Sequence, residues 1–261
     1  MERREFVKYL GAMSIYIGAT SCGAINIFGD TYNEEVAKEV WKKLANKGSA
    51  FEYVNPNRKL PNVLLYGDSI SIGYTPTVRD VLAEKANVFR IFNNGESSDK
   101  FIPKMEKLKQ TMFQPFLKGG WNFDWDVIHF NVGLHDLKYL AEGKLDKKNG
   151  EIVNSIKEYK TNLDKICIYL TEEYPKATLI FATTTAVPKG ANGRFVGDSI
   201  KYNKAAKEIL AKYPSILIND LYGFTKPNSS KWSINPGNVH YNNLGKTAQG
   251  KQVAKVIAEN L

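Results

Sequence analysis

Cysteine and histidine are scarce in this chain of 261 residues. The two cysteines, Cys22 and Cys167, are too few for a disulfide framework or a cysteine-rich zinc site. Only three histidines, His129, His135 and His240, can supply an imidazole for catalysis, so each can be weighed singly. Long hydrophobic runs and internal repeats are also missing, which excludes a membrane-spanning body and a repeat array.

Dense tracts of one charge sign are absent too. Lysine and arginine (36) outnumber aspartate and glutamate (27), which gives a net charge of +9, but the basic residues are scattered along the chain. This pattern favours a solvated basic surface, and we expect no nucleic-acid partner. Hydrophobic residues make up 43% and charged residues 24% of the chain, which excludes disorder and predicts one large globular domain.

The first 22 residues have the pattern of an export signal. Basic residues precede a mostly apolar stretch over residues 9–20, and small residues follow, as is typical of a secretory signal. The Arg-Arg pair resembles a twin-arginine signal. The stretch before Cys22 resembles a bacterial lipobox, although leucine is more usual where Ala19 stands. We therefore expect an exported periplasmic or cell-surface protein anchored through a lipidated Cys22; the alternative is an amphipathic first helix.

The rest of the chain alternates strand-type and helix-type patterns. Residues 23–60 predict a tether and an N-terminal helix over 33–47, and residues 61–261 predict one domain. Most of the apolar runs are continuous, as in strands covered on both faces. They span residues 62–66, 87–92, 125–131, 178–183 and 215–219. The helical patterns span residues 77–84, 102–112, 152–171, 199–212 and 244–259.

This alternation predicts an α/β fold, a three-layer α/β/α sandwich around a five-stranded parallel sheet of flavodoxin-like order. Residues 138–151 are polar and predict a surface loop. In such sheets ligands bind beyond the carboxyl ends of the strands, so the polar residues just after each apolar run are the candidate site residues.

Two candidates follow the first and second runs. Gly67-Asp68-Ser69 places a hydroxyl at a strand-to-helix turn, where it becomes a nucleophile only if a base removes its proton. The alternative is that Asp68 or Ser69 caps the next helix. Gly95 follows the second run and is either a turn residue or a backbone donor to an oxyanion.

Further candidates come later in the chain. Gly133-Leu134-His135-Asp136 follows the third run and is either catalytic or a cap by Asp136 beside a surface histidine. His240 lies in a loop before the last helical pattern, which is a favourable position for a general base. Asp220 stands at the end of the fifth run.

In this order, the four stretches resemble the sequence blocks of the SGNH/GDSL hydrolases over residues 61–261, within a bacterial branch that has Gly-Leu-His-Asp in the third block. The resemblance implies a serine ester hydrolase that needs no metal and no organic cofactor. It implies Ser69 as the nucleophile and His240 as the base. The oxyanion hole would then comprise the N–H groups of Ser69 and Gly95, with His135 as a third donor.

Two positions depart from the family pattern. His135 replaces an asparagine that donates to the oxyanion; a neutral imidazole retains one N–H for this, and the alternative is that it fills space or binds substrate. Gly237 stands where an aspartate usually orients His240. Three replacements are left open: a backbone carbonyl near Gly237, the amide oxygen of Asn238, or a carboxylate such as that of Asp220. Asp68 and Asp136 are further candidates for support of the site.

The resemblance and the export signal together predict hydrolysis of an O-acyl ester, most simply an acetyl ester, on a carbohydrate or other small ester substrate. Three aromatic residues near the strand ends, Tyr74, Trp121 and Trp232, are candidates for stacking on sugar rings; the alternative, which is the more common one, is that some of them are ordinary core residues. Two alternatives remain: a glycan-binding protein without turnover, motivated by the missing aspartate, and an O-acyltransferase that uses a sugar hydroxyl in place of water.

Overall fold

The structure, a computed structural model, describes residues 33–114, 121 and 123–261. The predicted export signal, the lipobox with Cys22 and the predicted tether over residues 23–32 lie outside the described residues. Among the residues that are described, no helix combines the length and apolar character needed to cross a bilayer.

Five parallel strands form the central sheet, in the order β2-β1-β3-β7-β8. Their registers pair Asn62 with Asn87 and Val63 with Val127, so the carboxyl ends of the strands lie at one edge of the sheet. The sheet confirms all five predicted strands and the flavodoxin-like order. In chain order, the strands of the described residues are β1 (Asn62–Tyr66), β2 (Asn87–Arg90), β3 (Val127–Phe130), β4 (Tyr139–Ala141), β5 (Lys144–Leu145), β6 (Glu151–Ile152), β7 (Thr178–Ala182) and β8 (Leu217–Asn219).

Helices cover both faces of this sheet and complete the predicted α/β/α sandwich. The helices are α1 (Glu34–Leu44), α2 (Ser69–Leu82), α3 (Phe101–Met112), α4 (Ile156–Glu173), α5 (Asp198–Leu210), α6 (Leu221–Thr225), α7 (Ser229–Trp232) and α8 (Asn243–Ala258). Helix α2 packs against α8, and α4 packs against α3 and α5. All of β2 and β3 and most of β1 and β7 are buried, as their continuous apolar runs predict.

Helix α2 begins eight residues earlier than the sequence predicts, at Ser69 instead of residue 77. Gly73 and Pro76 lie inside it, and both residue types disfavour helix interiors. Packing against α8 outweighs this cost, because Gly250 lets the two helices approach closely: a Cβ there would lie 2.5 Å from Cβ of Thr77. The earlier start is what places Ser69 at a helix N-terminus.

Residues 138–151 are not the surface loop that the sequence predicts. They contain a small antiparallel sheet in the order β5-β4-β6, in which Leu140 pairs with Leu145. A two-residue turn joins β4 to β5, and both of its residues have positive φ, 49° at Glu142 and 75° at Gly143. Such turns match the twist of paired strands. Glutamate is an unusual residue in such a turn, so the sequence did not indicate the hairpin.

The segment before the sheet packs on the core. Asn33 caps α1 by accepting hydrogen bonds from Glu35 and Val36, and Ala37 and Trp41 of this helix are buried. The indole of Trp41 donates a 2.7 Å hydrogen bond to a backbone carbonyl and contacts the ring of Trp121 edge-on. Helix α1 is therefore attached to the same core as the sheet.

Candidate active site

The turn between β1 and α2 presents Ser69 at the carboxyl edge of the sheet. Asp68 caps α2: its Oδ1 accepts a 2.9 Å hydrogen bond from the backbone N–H of Ile70. As the first residue of α2, Ser69 has a backbone N–H with no acceptor one helical turn earlier. The positive end of the helix dipole and this N–H therefore lie beside the hydroxyl.

His240 contacts the serine hydroxyl directly. Its Nε2 lies 2.8 Å from Oγ of Ser69, although 171 residues separate them in sequence. Its Nδ1 lies 2.8 Å from Oδ1 of Asn238, and the same oxygen accepts a 2.9 Å hydrogen bond from the backbone N–H of His240. Ser69, His240 and Asn238 thus form a continuous hydrogen-bonded chain.

The partners of Asn238 fix the tautomer of His240. A backbone N–H can only donate, so the side-chain atom of Asn238 that it meets is the amide oxygen. Because that oxygen also faces Nδ1 of His240, Nδ1 carries the proton, and Nε2 has the lone pair that accepts from the hydroxyl of Ser69. This is the tautomer that a general base for Ser69 requires.

The carboxylates proposed as alternative supports lie elsewhere. Asp220 accepts hydrogen bonds from Oγ1 of Thr183 (2.8 Å) and from the N–H of Gly223, so it caps α6 instead of orienting His240. Asp136 accepts from the backbone N–H and the hydroxyl of Ser98, and burial raises its pKa to about 6. Among the replacements left open by the sequence, Asn238 is the residue found beside the ring.

Burial and nearby charges set the pKa of His240. Partial burial lowers it below the ordinary value of 6.5; the negative charge of Asp68 opposes this, and the positive charges of Arg194 and Lys246 add to it. Of the residues predicted as support, Asp68 therefore acts on the imidazole through its charge and Asn238 through contact. The ring is neutral at neutral pH, as a base must be.

Gly95 does not have the free N–H that the sequence predicts for it. Its N–H donates a 2.8 Å hydrogen bond to the carbonyl of Gly67, in the turn between β1 and α2. A Cβ on Gly95 would lie 2.6 Å from that carbonyl oxygen, which explains the glycine by close backbone packing. We correct the prediction accordingly: Gly95 holds the turn between β1 and α2, and its N–H is already bonded to a carbonyl.

His135 has one ring nitrogen engaged and one available. Its Nδ1 lies 3.2 Å from Nζ of Lys138. Since an ammonium group can only donate, Nδ1 accepts and the proton of the neutral ring sits on Nε2. Burial lowers the pKa of His135 well below its ordinary value; Asp68 opposes this shift, and Lys138 and Arg194 strengthen it. His135 is thus a neutral N–H donor, as asparagine would be at this position.

Arg90, at the end of β2, is a site residue that the sequence analysis missed. It is fully buried, and its guanidinium donates to the carbonyls of Gly67 (2.8 Å) and Asp68 (3.1 Å) and to the hydroxyl of Ser71 (2.6 Å). Burial lowers its pKa to about 10, so it remains charged at neutral pH. An arginine inside an otherwise apolar strand was the available signal.

The predicted sugar-stacking residues do not all reach the surface. Tyr74 and Trp121 are fully buried in the core, which confirms the core alternative for these two residues. Trp232 is half-buried and packs on Phe224, at a ring-centroid distance of 5.5 Å. Within the described part of the chain, no group of three histidine, cysteine or acidic residues has an arrangement that would hold a metal ion.

Comparisons with solved structures place this architecture among known folds. An acetyl xylan esterase matches at a TM-score of 0.57 and 14% identity, over 75% of this chain and 99% of the other. A member of the lipolytic G-D-S-L family from Veillonella parvula matches at 0.51 and 19% identity, over 75% and 97%. The catalytic domain of a Streptococcus pneumoniae peptidoglycan O-acetyltransferase matches at 0.50 and 15% identity, over 77% and 94%.

These likenesses show the fold: the chain has the three-layer architecture of the SGNH/GDSL hydrolases. Each of these alignments spans about three quarters of this chain and nearly all of the neighbouring structure. No protein-family model and no curated protein sequence matches it.

Proposed function

We propose that this chain is a serine ester hydrolase of the SGNH/GDSL type, acting on an O-acyl ester of a carbohydrate. One observation carries the proposal: Nε2 of His240 lies 2.8 Å from Oγ of Ser69, while Asn238 holds the proton on Nδ1. A hydroxyl hydrogen-bonded to an oriented neutral imidazole is the arrangement of an activated serine nucleophile. Because Asn238 supplies an acceptor, the missing aspartate no longer argues for binding without turnover.

The reaction proceeds in two proton-balanced halves. His240 takes the proton of the Ser69 hydroxyl as Oγ attacks the acyl carbon, and the imidazolium then gives that proton to the leaving alcohol. Water attacks the acyl-enzyme, again with His240 as base, which releases the carboxylic acid and restores Ser69. The developing oxyanion accepts from the N–H of Ser69 and from Nε2–H of His135, and each donor lowers the barrier by about 3 kcal/mol.

The acetyl group is the acyl chain we favour. The solved structures that share this fold include an acetyl xylan esterase, which by name acts on acetyl xylan, and a peptidoglycan O-acetyltransferase, which by name transfers acetyl groups to peptidoglycan. The second of these also supports a second candidate activity, transfer of the acyl group to a sugar hydroxyl in place of water. Product analysis with an added saccharide acceptor separates the two, since hydrolysis releases acetate and transfer yields an acetylated acceptor.

The decisive experiment is turnover of p-nitrophenyl acetate by the full chain and by Ser69→Ala. We expect hydrolysis by the parent and a loss of at least about a thousandfold in Ser69→Ala. Ser230→Ala removes an exposed hydroxyl on α7 and is the matched control, with activity close to the parent. Equal rates in the parent and in Ser69→Ala would refute the assignment of the nucleophile.

The proposal extends to location. Residues 1–22 would direct export, and Cys22 would then carry a lipid anchor after cleavage. Fractionation of a bacterial host expressing the full chain tests this, because we expect the parent in the membrane fraction and Cys22→Ser in the soluble exported fraction. An unprocessed chain that stays inside the cell would contradict it.

A further inference from the structure

Arg194 is a buried cation without an anionic partner in the described part of the chain. It lies in the loop between β7 and α5 and is only 7% exposed. Its Nε donates a 3.0 Å hydrogen bond to the carbonyl of Leu134. Among residues 33–114, 121 and 123–261, neither an ion pair nor a second hydrogen bond engages its guanidinium. Charged groups this buried are ordinarily paired, so the two terminal nitrogens are available to an external acceptor.

The small sheet holds Arg194 in place. The N–H of Tyr139 donates a 2.7 Å hydrogen bond to the carbonyl of Gly193, and the rings of Tyr139 and Phe195 contact edge-on at 5.2 Å. Both chain neighbours of Arg194 are therefore attached to β4. The guanidinium has a fixed position instead of the freedom of an ordinary surface arginine.

That position borders the candidate active site. The carbonyl that Arg194 contacts belongs to Leu134, the residue before His135. The loop of Arg194 also reaches the loop of His240, since a Cβ on Gly237 would lie 2.9 Å from the carbonyl oxygen of Gly190. The positive charge of Arg194 acts on the imidazoles of both His135 and His240.

Two lysines add positive charge at the candidate site. Lys138 contacts His135 on the same side of the site, and the charge of Lys246 also acts on His240. Of the acidic groups nearby, Glu96 pairs with Lys104 at 3.2 Å, and Asp136, whose charge acts on Lys138, accepts hydrogen bonds from Ser98 and Asn154. Asp68 caps α2 and acts on Arg194 through its charge without forming an ion pair. A guanidinium fork in such a place matches a carboxylate, which it can bind through two parallel hydrogen bonds.

We infer that Arg194, assisted by Lys138, binds a carboxylate of the substrate beside the ester, so that the natural substrate is an O-acylated acidic saccharide. This inference rests on the proposed esterase activity for its catalytic consequence, but the binding of a carboxylate does not depend on turnover. The two claims can therefore be tested separately.

The kinetic test compares two matched substrates, O-acetylated methyl glucuronoside and its uncharged glucuronamide analogue. We expect the full-length parent to prefer the acid by about tenfold or more in kcat/KM. In Arg194→Met this ratio falls to about one, and in Lys138→Met it falls partway. The ratio is taken within each variant, so changes in folding or in the pKa of His240 cancel. Arg58→Met removes an exposed arginine and retains the parent's ratio.

A binding test separates failure of this inference from failure of the proposed function. Ser69→Ala is titrated with glucuronate and with glucuronamide by calorimetry, and the same titrations are repeated with Ser69→Ala/Arg194→Met. We expect glucuronate to bind more tightly than glucuronamide only while Arg194 is present. Equal binding of the two ligands, or a preference that survives Arg194→Met, overturns the subsite. A parent that hydrolyses p-nitrophenyl acetate without a preference for acid overturns the subsite and leaves the esterase standing.

Discussion

Asn238 is the residue that distinguishes this site from one oriented by an aspartate. Its amide oxygen accepts from Nδ1 of His240 and thereby selects the tautomer, but it carries no charge to stabilise the imidazolium that forms during the reaction. The negative charge of Asp68 supplies part of that stabilisation, since it raises the pKa of His240 against the effect of burial. The site thus divides orientation and charge compensation between two residues.

Replacement of Asn238 tests this division. Asn238→Ala removes the acceptor of Nδ1, and we expect kcat/KM to fall by roughly 10- to 100-fold because the productive tautomer is no longer fixed. Asn238→Asp keeps the oxygen and adds a charge, which favours the protonated ring and raises the pKa of His240. In the parent, the acid limb of kcat/KM lies below pH 6.5, because burial lowers that pKa.

The sign of the pH effect follows from the role of His240 as a base. Activity needs the neutral ring, so it is full above the pKa and is lost as the pH falls through it. Asn238→Asp must therefore move the acid limb to higher pH. An unchanged limb in Asn238→Asp, measured as kcat/KM between pH 4 and 9, would show that His240 is not the titrating base.

Replacement of His135 tests its predicted role as a donor to the oxyanion. We expect its neutral Nε2–H to donate to the oxyanion as an amide would, so His135→Asn retains activity to within about tenfold, whereas His135→Ala loses about 100- to 1000-fold in kcat. Steady-state kinetics on p-nitrophenyl acetate measures both. Equal losses in the two variants would contradict donation to the oxyanion and would favour a space-filling role.

At the scale of elements, the turn between β1 and α2 is held from behind by β2 and by the segment that follows it. The carbonyl of Gly67 accepts both from the N–H of Gly95 and from the guanidinium of Arg90, and Arg90 also engages Asp68 and Ser71. These contacts satisfy backbone groups that a sharp strand-to-helix turn would leave unpaired. The turn is therefore rigid, and it aims Ser69 at His240.

We expect the protein to lose stability when the hydrogen bonds of Arg90 to this turn are removed. Arg90→Met keeps the length of the side chain but removes one donor each from the buried carbonyls of Gly67, Asp68 and Ile91, so we expect the free energy of unfolding to fall by about 2 kcal/mol or more. Urea denaturation followed by circular dichroism measures it. Arg58→Met is the control and changes stability by less than about 0.5 kcal/mol. A similarly small change in Arg90→Met would show that the hydrogen bonds of Arg90 do not stabilise the turn.

The elements that the sequence predicted well are those with a strong local pattern. Strand β1 has the predicted bounds, and α8 begins and ends within one residue of its predicted bounds, because continuous apolar runs and helical spacing are properties of the segment itself. The early start of α2 and the hairpin of β4 and β5 were missed for the opposite reason. Tertiary packing around Gly250 permits the first, and an unusual residue at positive φ, Glu142, forms the second.

For the whole molecule, the alternation of strand-type and helix-type patterns predicted the fold, but the sequence did not predict every contact in the candidate site. Ser69 and His240 lie together as the family resemblance implied: Ser69 follows β1 at the carboxyl edge of the sheet, and His240 lies in the loop before α8. Three contacts depend instead on distances of a few ångströms between loops. They are the hydrogen bond from Gly95 to the carbonyl of Gly67, the hydrogen bonds of Arg90, and the contact of Asn238 with His240. Such distances have no periodic signature in a sequence.

Covalent labelling tests the central claim, an activated Ser69, most directly. The full chain is treated with phenylmethylsulfonyl fluoride, and intact mass and peptide mapping locate the adduct. The account predicts one adduct, on Ser69, with Ser230→Ala labelled like the parent, His240→Ala labelled far more slowly and Ser69→Ala not labelled. An unmodified parent, or an adduct that persists in Ser69→Ala, would contradict it.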